Sequence, residues 1–175
     1  PFHKGHESLI KRALEELSEK KLMIAIGSCN AKLSIHNPWT ADEREEMITL
    51  WATEKKILEQ IEFCQIPDIH DPPNWVQHAS HFHGSNGILH TSDSKTAELY
   101  RLSQWQVKEY KFHNRESLEG WRVRTTMKMM YDIPEIEIGR EILSLLIPPI
   151  IVDWLSKLDR TKRLILLEPE VERIA

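Results

Sequence analysis

The sequence predicts a single α/β domain in which helices cover both faces of a parallel β-sheet. Two observations lead to this prediction: short apolar runs alternate with segments of helical periodicity, and 175 residues suffice for one domain with a real core. Four runs are apolar or alternate strictly, as strands do: 22–28, 61–66, 87–92 and 106–112. Their alternation with helices favours parallel pairing.

The elements of the first third of the chain follow from local patterns. A helix is predicted over 7–20, because apolar residues recur on one face: Leu9, Ile10, Ala13, Leu14 and Leu17. The run 22–28 ends in Gly-Ser and is typical of a buried parallel strand. A capping box at 40–43 then begins a second helix with its own apolar face.

The later elements are predicted in the same way. A loop rich in Asp and Pro follows the second strand, and helices dominate after the fourth. The predicted segments are a loop at 67–74, helices at 75–79 and 94–102, a loop at 114–124, and helices from about 119 with a break near 132–134. We expect a single domain over 1–175. Because the sequence begins with Pro1 in mid-motif, we also expect the first buried strand of this domain to lie upstream.

Composition excludes several classes of function. Lys and Arg number 23 against 27 Asp and Glu, and this net charge of −4 argues against a general nucleic-acid binder. No apolar stretch reaches the length of a membrane span. Cys29 and Cys64 both lie in strand-like apolar runs, which favours buried free thiols over a disulfide. Without a visible signal peptide, the expected location is cytoplasmic.

The opening residues carry the clearest chemical signal. In Pro1-Phe2-His3-Lys4-Gly5-His6, two histidines flank a Lys-Gly pair where a helix begins. Glycine allows close approach of the backbone, and free N–H groups at a helix start attract anions. The turn therefore predicts a polyphosphate site. The alternative is a capped surface helix with incidental histidines.

A second group of histidines lies at 78, 81 and 83, with His70, Asp68 and Asp71 upstream. His78 and His81 are three residues apart on a predicted helix, so one metal ion could contact both. The spacing matches no standard zinc signature, and we expect no metal site here.

Motifs along the chain resemble a known family. The opening is similar to the end of the Gly-Arg-Phe-x-Pro-Phe-His-x-Gly-His signature of nucleotidyltransferases with a Rossmann-like fold. Residues 37–44, Asn-Pro-Trp-Thr-Ala-Asp-Glu-Arg, resemble the Asn-Pro-Phe-Thr-Ala-Gly-Glu-Arg motif of archaeal-type nicotinamide-nucleotide adenylyltransferase. Further matches are Pro67-Asp68-Ile69 with Asn74-Trp75-Val76, Gly120 to Arg124, and Pro148 to Leu158.

This resemblance implies a reaction and its partners. The 5′-phosphate of nicotinamide mononucleotide (NMN) attacks the α-phosphorus of ATP, giving NAD and pyrophosphate, with Mg²⁺ accompanying ATP and no tightly bound cofactor. The implied ligands are ATP and NMN or NAD, without nucleic acid or membrane. Members of the family assemble as homo-oligomers, often hexamers.

The resemblance also implies roles for individual residues. His3 and His6 contact the ATP phosphates, while Arg44 and Arg124 brace the phosphates near the reacting centre. The other implied binding residues are Lys4, Gly5 and Gly120 beside the phosphates, Asn37 and Thr40 in the intervening loop, and Asp68, Ile69 and Trp75 around the nicotinamide. From the residues alone, Arg44 could instead pair with neighbouring glutamates, and Trp75 could be a core residue.

Some positions depart from the family pattern. Glu119 and Trp121 stand where the family has Ser and Thr, Asp42 replaces a glycine, and Ser92-Asp93 replaces Gly-Asn. A carboxylate near a triphosphate repels it, so these departures predict a weakened phosphate site. They leave open a related cytidylyl- or adenylyltransferase acting on another phosphate, or a non-catalytic nucleotide-binding protein.

Overall fold

The computed structural model describes residues 1–17, 21–111, 118–131, 133–157 and 160–167. Within them, helices and strands alternate as far as the fourth strand, and helices follow it. The helices are α1 (Lys4–Glu15), α2 (Ala41–Glu54), α3 (Trp75–His83), α4 (Ser94–Leu102), α5 (Gly120–Tyr131), α6 (Ile136–Leu146), α7 (Pro149–Ser156) and α8 (Lys162–Leu166). The strands are β1 (Leu22–Ile26), β2 (Ile61–Gln65), β3 (Ile88–Thr91) and β4 (Gln106–Glu109), and single 3-10 turns lie at Leu58–Gln60 and Pro72–Asn74.

The strands pair in parallel, as predicted. β1 pairs with β2 from Leu22 opposite Ile61 onward, and β3 pairs with β4 from Ile88 opposite Gln106. The described strands thus form two parallel pairs. Because the carboxyl ends of paired parallel strands lie at the same edge, the loops after β1 and β2 are neighbours.

Most predicted elements are confirmed, with differences at their ends. α3 continues beyond the predicted 75–79 to His83, and the chain turns at Gly84, whose φ of 87° suits glycine. The loop predicted over 114–124 is wrong for 120–124, which form the start of α5, whereas the prediction of helices from about 119 is confirmed. The rest of that loop at 114–117, the end of the predicted strand at 112 and the end of the first predicted helix at 18–20 lie outside the described residues.

Tryptophans organise the core between α2 and α7. Trp39, Trp51 and Trp154 are 1%, 0% and 3% exposed, so their indole rings are packing residues of this core. Trp105 is half-buried and packs edge-on against Tyr100, with ring centroids 5.2 Å apart. This core supports the start of α1, because the buried ring of Phe2 lies 5.0 Å from the ring of Trp51.

Two further predictions concern cysteines and membranes. Cys29 and Cys64 are free thiols, as predicted, although both are half-buried rather than fully buried. In the described part of the chain, no helix combines the length and apolarity needed to cross a membrane.

Candidate functional site

The two motif histidines cap the first helix. His3 is the N-cap of α1, and its Nδ1 accepts a hydrogen bond from the Gly5 N–H at 3.1 Å. His6 completes the capping box, because its Nδ1 accepts a hydrogen bond from the His3 N–H at 3.4 Å. The two rings stack with centroids 3.8 Å apart. Histidines thus make the reciprocal cap that Ser and Glu make in the common capping box.

These hydrogen bonds fix the tautomer of both rings. Since each Nδ1 accepts, the proton of the neutral imidazole lies on Nε2, which is then a donor. Neither Nε2 has a hydrogen-bond partner within the described segments. Desolvation lowers the pKa of His3 to about 2 and that of His6 to about 4, although His6 keeps an exposed surface. At pH 7 the pair therefore offers two neutral N–H donors.

Gly5 is required by the packing of His3. A Cβ at Gly5 would lie 3.0 Å from both Cε1 and Nδ1 of His3, closer than side chains normally approach. The same Cβ would lie 3.5 Å from the Cβ of Leu118. Leu118 lies two residues before the start of α5, so the N-terminus of α5 lies beside that of α1.

Arg124 lies in the opening turns of α5 next to this cap. A Cβ at Gly120 would meet the Arg124 Nη1 at 3.2 Å, so the glycine leaves room for the guanidinium. Arg124 contributes to the lowered pKa of His3, which places its charge near that ring. The guanidinium is half-buried, and no carboxylate or hydrogen-bond acceptor in the described residues pairs with it. A half-buried, unpaired cation beside neutral N–H donors is suited to an anion.

Arg44 has a different environment from the one the sequence suggested. Its Nη1 donates to the Gly27 carbonyl at 2.7 Å, its Nη2 to the Ser28 carbonyl at 3.2 Å, and its Nε to the Thr40 carbonyl at 3.3 Å. It forms no ion pair with the neighbouring glutamates. The charges of Arg124 and Arg44 both act at Pro1, so both guanidinium groups lie near the start of α1. Arg44 therefore holds the carboxyl end of β1 and faces the same region.

The loop before α2 is held by its own cap. Thr40 Oγ1 accepts from the Glu43 N–H at 3.2 Å, and Glu43 Oε2 accepts from the Thr40 N–H at 2.9 Å, confirming the predicted capping box. The Asn37 N–H donates to the Ser34 carbonyl at 3.1 Å in a tight turn. The structure thus gives Thr40 a capping role and Asn37 a place in the turn.

The residues matched to the nicotinamide pocket lie after β2. The Asp68 N–H donates to Asn30 Oδ1 at 2.8 Å, and the Asp68 carbonyl accepts from Asn30 Nδ2 at 3.1 Å. Both backbone groups of Asp68 are therefore occupied, whereas those of Ile69 form no hydrogen bond within the described residues. Trp75 is half-buried at the start of α3, with its ring 5.9 Å from that of His78, and it is not a core residue.

The histidines of α3 are engaged in separate contacts. His78 Nε2 contacts the Pro67 carbonyl at 2.9 Å, His81 Nδ1 the His78 carbonyl at 3.1 Å, and His83 Nε2 the Tyr100 hydroxyl at 2.7 Å. No three His, Cys, Asp or Glu side chains of the described segments are grouped to hold a metal ion. The structure therefore offers no support for a metal centre on α3.

A family-level sequence profile described as cytidylyltransferase-like matches residues 1–138. The chain belongs to the cytidylyltransferase-like family. This agrees with the resemblance seen in its motifs, and the matched region contains every residue placed in the site above.

Relatives of this cytidylyltransferase-like chain have a specific name. A protein from Methanococcus maripaludis strain C5, named nicotinamide-nucleotide adenylyltransferase, is 34% identical over 131 residues, covering 73% of this chain and 72% of its own. Proteins of the same name from Thermoplasma acidophilum and Archaeoglobus fulgidus are 30% and 29% identical, covering 73% of this chain and 69% and 74% of their own.

A solved structure supports the fold. The crystal structure of a bifunctional NMN adenylyltransferase/ADP ribose pyrophosphatase from Francisella tularensis has a TM-score of 0.61 and 21% identity, covering 95% of this chain and 49% of that one. This chain therefore spans about half of the bifunctional protein. At this identity the likeness establishes the α/β fold alone, as predicted.

The departures from the family pattern have local partners. Glu119 Oε2 accepts from Trp121 Nε1 at 2.7 Å and lies 3.7 Å from Arg122 Nε. The Arg122 guanidinium lies over the Trp121 indole, 4.7 Å from its centroid. The Glu119 carboxylate is thus partly neutralised within its own turn, which reduces the repulsion expected from the sequence.

Two supporting residues were missed by sequence reasoning. Arg163 in α8 donates to Glu43 Oε2 at 2.6 Å and to the Pro38 carbonyl at 3.1 Å, which ties the far end of the described chain to the cap of α2. Burial alone would raise the pKa of Glu43, but the hydrogen bonds from Arg163 and Thr40 hold it below its usual value. Asn30 joins two loops. Neither residue stands in a motif, and the only sequence signal for either was a polar Asn in the loop after the first strand.

Proposed function

We propose that this chain is a nicotinamide-nucleotide adenylyltransferase, which forms NAD and pyrophosphate from ATP and NMN. The observation that carries the proposal is the half-buried Arg124, which has no partner among the described residues, beside the neutral donors of His3 and His6. Relatives bearing this name, with identities of 34% and 30%, support the choice of substrates.

The chemistry suits such a site. A phosphate oxygen of NMN attacks the α-phosphorus of ATP, a new P–O bond forms, and the bond to the β-phosphate bridging oxygen breaks. The attacking phosphate is already ionised, so no residue needs to remove a proton. Catalysis then depends on alignment and on stabilising the negative charge that grows on the α-phosphate and the departing pyrophosphate.

The cap of α1 supplies the donors in this proposal. The Nε2–H groups of His3 and His6 donate to phosphate oxygens, and Arg124 neutralises charge on the leaving side. Both histidines are neutral in the free protein. The negative charge of a bound polyphosphate raises their pKa values, which favours protonation of the rings. Lys4, at the first position of α1, adds a mobile positive charge.

The carboxyl end of β1 supplies the second positive group. Three of the five N–H groups of Arg44 are held by backbone carbonyls, so the remaining Nη hydrogens are fixed in direction for a phosphate. Mg²⁺ would come with ATP and balance charge on its phosphates. The carboxylates near the cap are already paired, Glu7 with Lys11 at 2.7 Å and Glu119 with Trp121 at 2.7 Å, which fits a metal carried by the nucleotide and not by protein carboxylates.

The loop after β2 forms the mononucleotide side. Trp75 supplies a half-buried ring for stacking on the nicotinamide, and the unoccupied N–H and carbonyl of Ile69 suit its carboxamide. The paired backbone of Asp68 gives that residue a supporting role in the turn. Gly120 gives room to Arg124, and Asn37 and Thr40 hold the loop between the two sides.

Pyrophosphate release tests the proposal. The full chain is incubated with Mg²⁺ and either ATP or CTP, with and without NMN. Release that requires both ATP and NMN is expected, and Arg124→Met should lower kcat/KM at least ~100-fold, because a cation facing the growing charge is removed. Preference for CTP would indicate a cytidylyltransferase acting on another phosphate. Tight nucleotide binding without release would indicate a non-catalytic sensor.

Assembly and location complete the proposal. We expect a cytoplasmic homo-oligomer, with a hexamer as one form. Apolar side chains on α6 support association, since Ile136 and Leu145 are 74% and 70% exposed. Light scattering after size-exclusion chromatography measures the oligomeric state.

A further inference from the structure

We propose that Asn30 is a positioning residue that sets the place of the Asp68–Ile69 turn and thereby the affinity of the site for the mononucleotide. This inference rests on the proposed function for its substrate, and on the structure for its mechanism. Asn30 stands outside the family motifs seen in the sequence.

The contact is a two-bond clamp. The side-chain amide of Asn30 carries both an acceptor and a donor, and both bind the backbone of Asp68. The Asp68 N–H donates to Asn30 Oδ1 at 2.8 Å, and Asn30 Nδ2 donates to the Asp68 carbonyl at 3.1 Å. A paired contact of this kind restricts rotation as well as distance. It joins two loops separated by 38 residues in the sequence.

The clamp is anchored from the β1 side. The Cys29 N–H donates to the Ile66 carbonyl at 3.2 Å, which extends the β1–β2 ladder to the residue before Asn30. The Gly27 and Ser28 carbonyls are held by Arg44 at 2.7 and 3.2 Å. Asn30 therefore projects from a fixed segment.

The other end of the clamp is less supported. Asp68 is exposed and follows Pro67, and its backbone is bonded only to Asn30 within the described residues. Ile69 comes next, and its backbone groups have no hydrogen-bond partner in the part of the chain that the structure describes. Without Asn30, the contact of His78 with the Pro67 carbonyl at 2.9 Å would still hold the peptide before Asp68. Within the described segments, nothing else would fix the Asp68 carbonyl, which shares its peptide plane with the Ile69 N–H. Loss of the Asn30 contact should therefore weaken the binding of the mononucleotide at Ile69, and not the binding of ATP at the cap of α1.

Two variants and one control test the proposal in the full chain. Asn30→Ala removes both bonds, and Asn30→Asp keeps the acceptor but loses the donor. Ser94→Ala is the control, because it removes an exposed side-chain hydrogen bond of 2.7 Å to Glu109 on the other strand pair. Amide hydrogen exchange at Asp68 is measured first, followed by KM for NMN and for ATP.

In Asn30→Ala we expect roughly tenfold faster exchange at Asp68 and a roughly tenfold higher KM for NMN, with KM for ATP within about twofold. Asn30→Asp should lie between wild type and Asn30→Ala in exchange, and Ser94→Ala should match wild type throughout. Unchanged exchange at Asp68, or an equal rise in both KM values, would overturn the proposal. If wild type forms no dinucleotide, the proposed function fails, while exchange at Asp68 still decides whether Asn30 holds the turn.

Discussion

Adding one methyl group at Gly5 should weaken ATP binding while changing the free energy of unfolding little. In Gly5→Ala the new Cβ would lie 3.0 Å from Cε1 and Nδ1 of His3, so the imidazole must shift by several tenths of an ångström. The shift breaks the 3.1 Å hydrogen bond from the Gly5 N–H, which costs about 1 kcal/mol. Alanine favours the helix over glycine by up to ~1 kcal/mol. The two effects oppose each other, and the net change in the free energy of unfolding should stay within about 1 kcal/mol.

Nucleotide binding should change much more. The His3 Nε2–H moves with its ring, and a misplaced hydrogen bond to a charged phosphate costs about 1.5–3 kcal/mol. This corresponds to a roughly 10- to 150-fold weaker affinity for ATP. Isothermal titration calorimetry measures the affinity, and urea unfolding measures the stability.

Gly139→Ala is the matched control. Gly139 also lies in a helix, α6, but its added Cβ would meet only ordinary contacts, 3.5 Å from the Met130 carbonyl oxygen. This variant should be equally or slightly more stable and should bind ATP as wild type does. An unchanged ATP affinity in Gly5→Ala would refute the assignment of His3 to the phosphate site.

Three further predictions concern the pH dependence of stability, the binding of NMN, and the two residues Glu119 and Trp121 that depart from the family pattern. Burial lowers the pKa of His3 from 6.5 to about 2, so below pH 6.5 the unfolded chain binds a proton that the folded protein does not. The contribution of His3 to the free energy of unfolding should therefore fall by about 2 kcal/mol from pH 7 to pH 5, and His6, whose pKa is lowered to about 4, adds to the loss. In urea unfolding, His3→Gln should lose less stability than wild type over this pH range. Trp75→Ala should raise KM for NMN roughly 3- to 10-fold in steady-state assays, whereas an equal rise for ATP would mark Trp75 as structural. Glu119→Ser with Trp121→Thr should strengthen ATP binding by less than about fivefold in calorimetry, because Glu119 is exposed and already paired; a weaker affinity would show that the pair contacts a different ligand.

Local sequence patterns determined the elements and the chemistry at the start of α1. Apolar periodicity depends on neighbours within a few residues, so the order of strands and helices was predictable. The cap at Thr40 was predictable for the same reason, since its partner Glu43 is three residues away. The paired histidines of the first turn likewise form a local cap.

Only the tertiary structure decided how these parts meet. Arg44 was open to pairing with adjacent glutamates, yet its guanidinium reaches carbonyls 16 and 17 residues away. Asn30 hydrogen-bonds to Asp68, 38 residues away in the sequence, and Arg163 hydrogen-bonds to Glu43, 120 residues away. Such contacts depend on which strands pair and which helices pack, information that no short window contains. The sequence by itself determined the histidine turn at the start of α1 and the α/β fold, and the packing decided which side chains hold the loops around that turn.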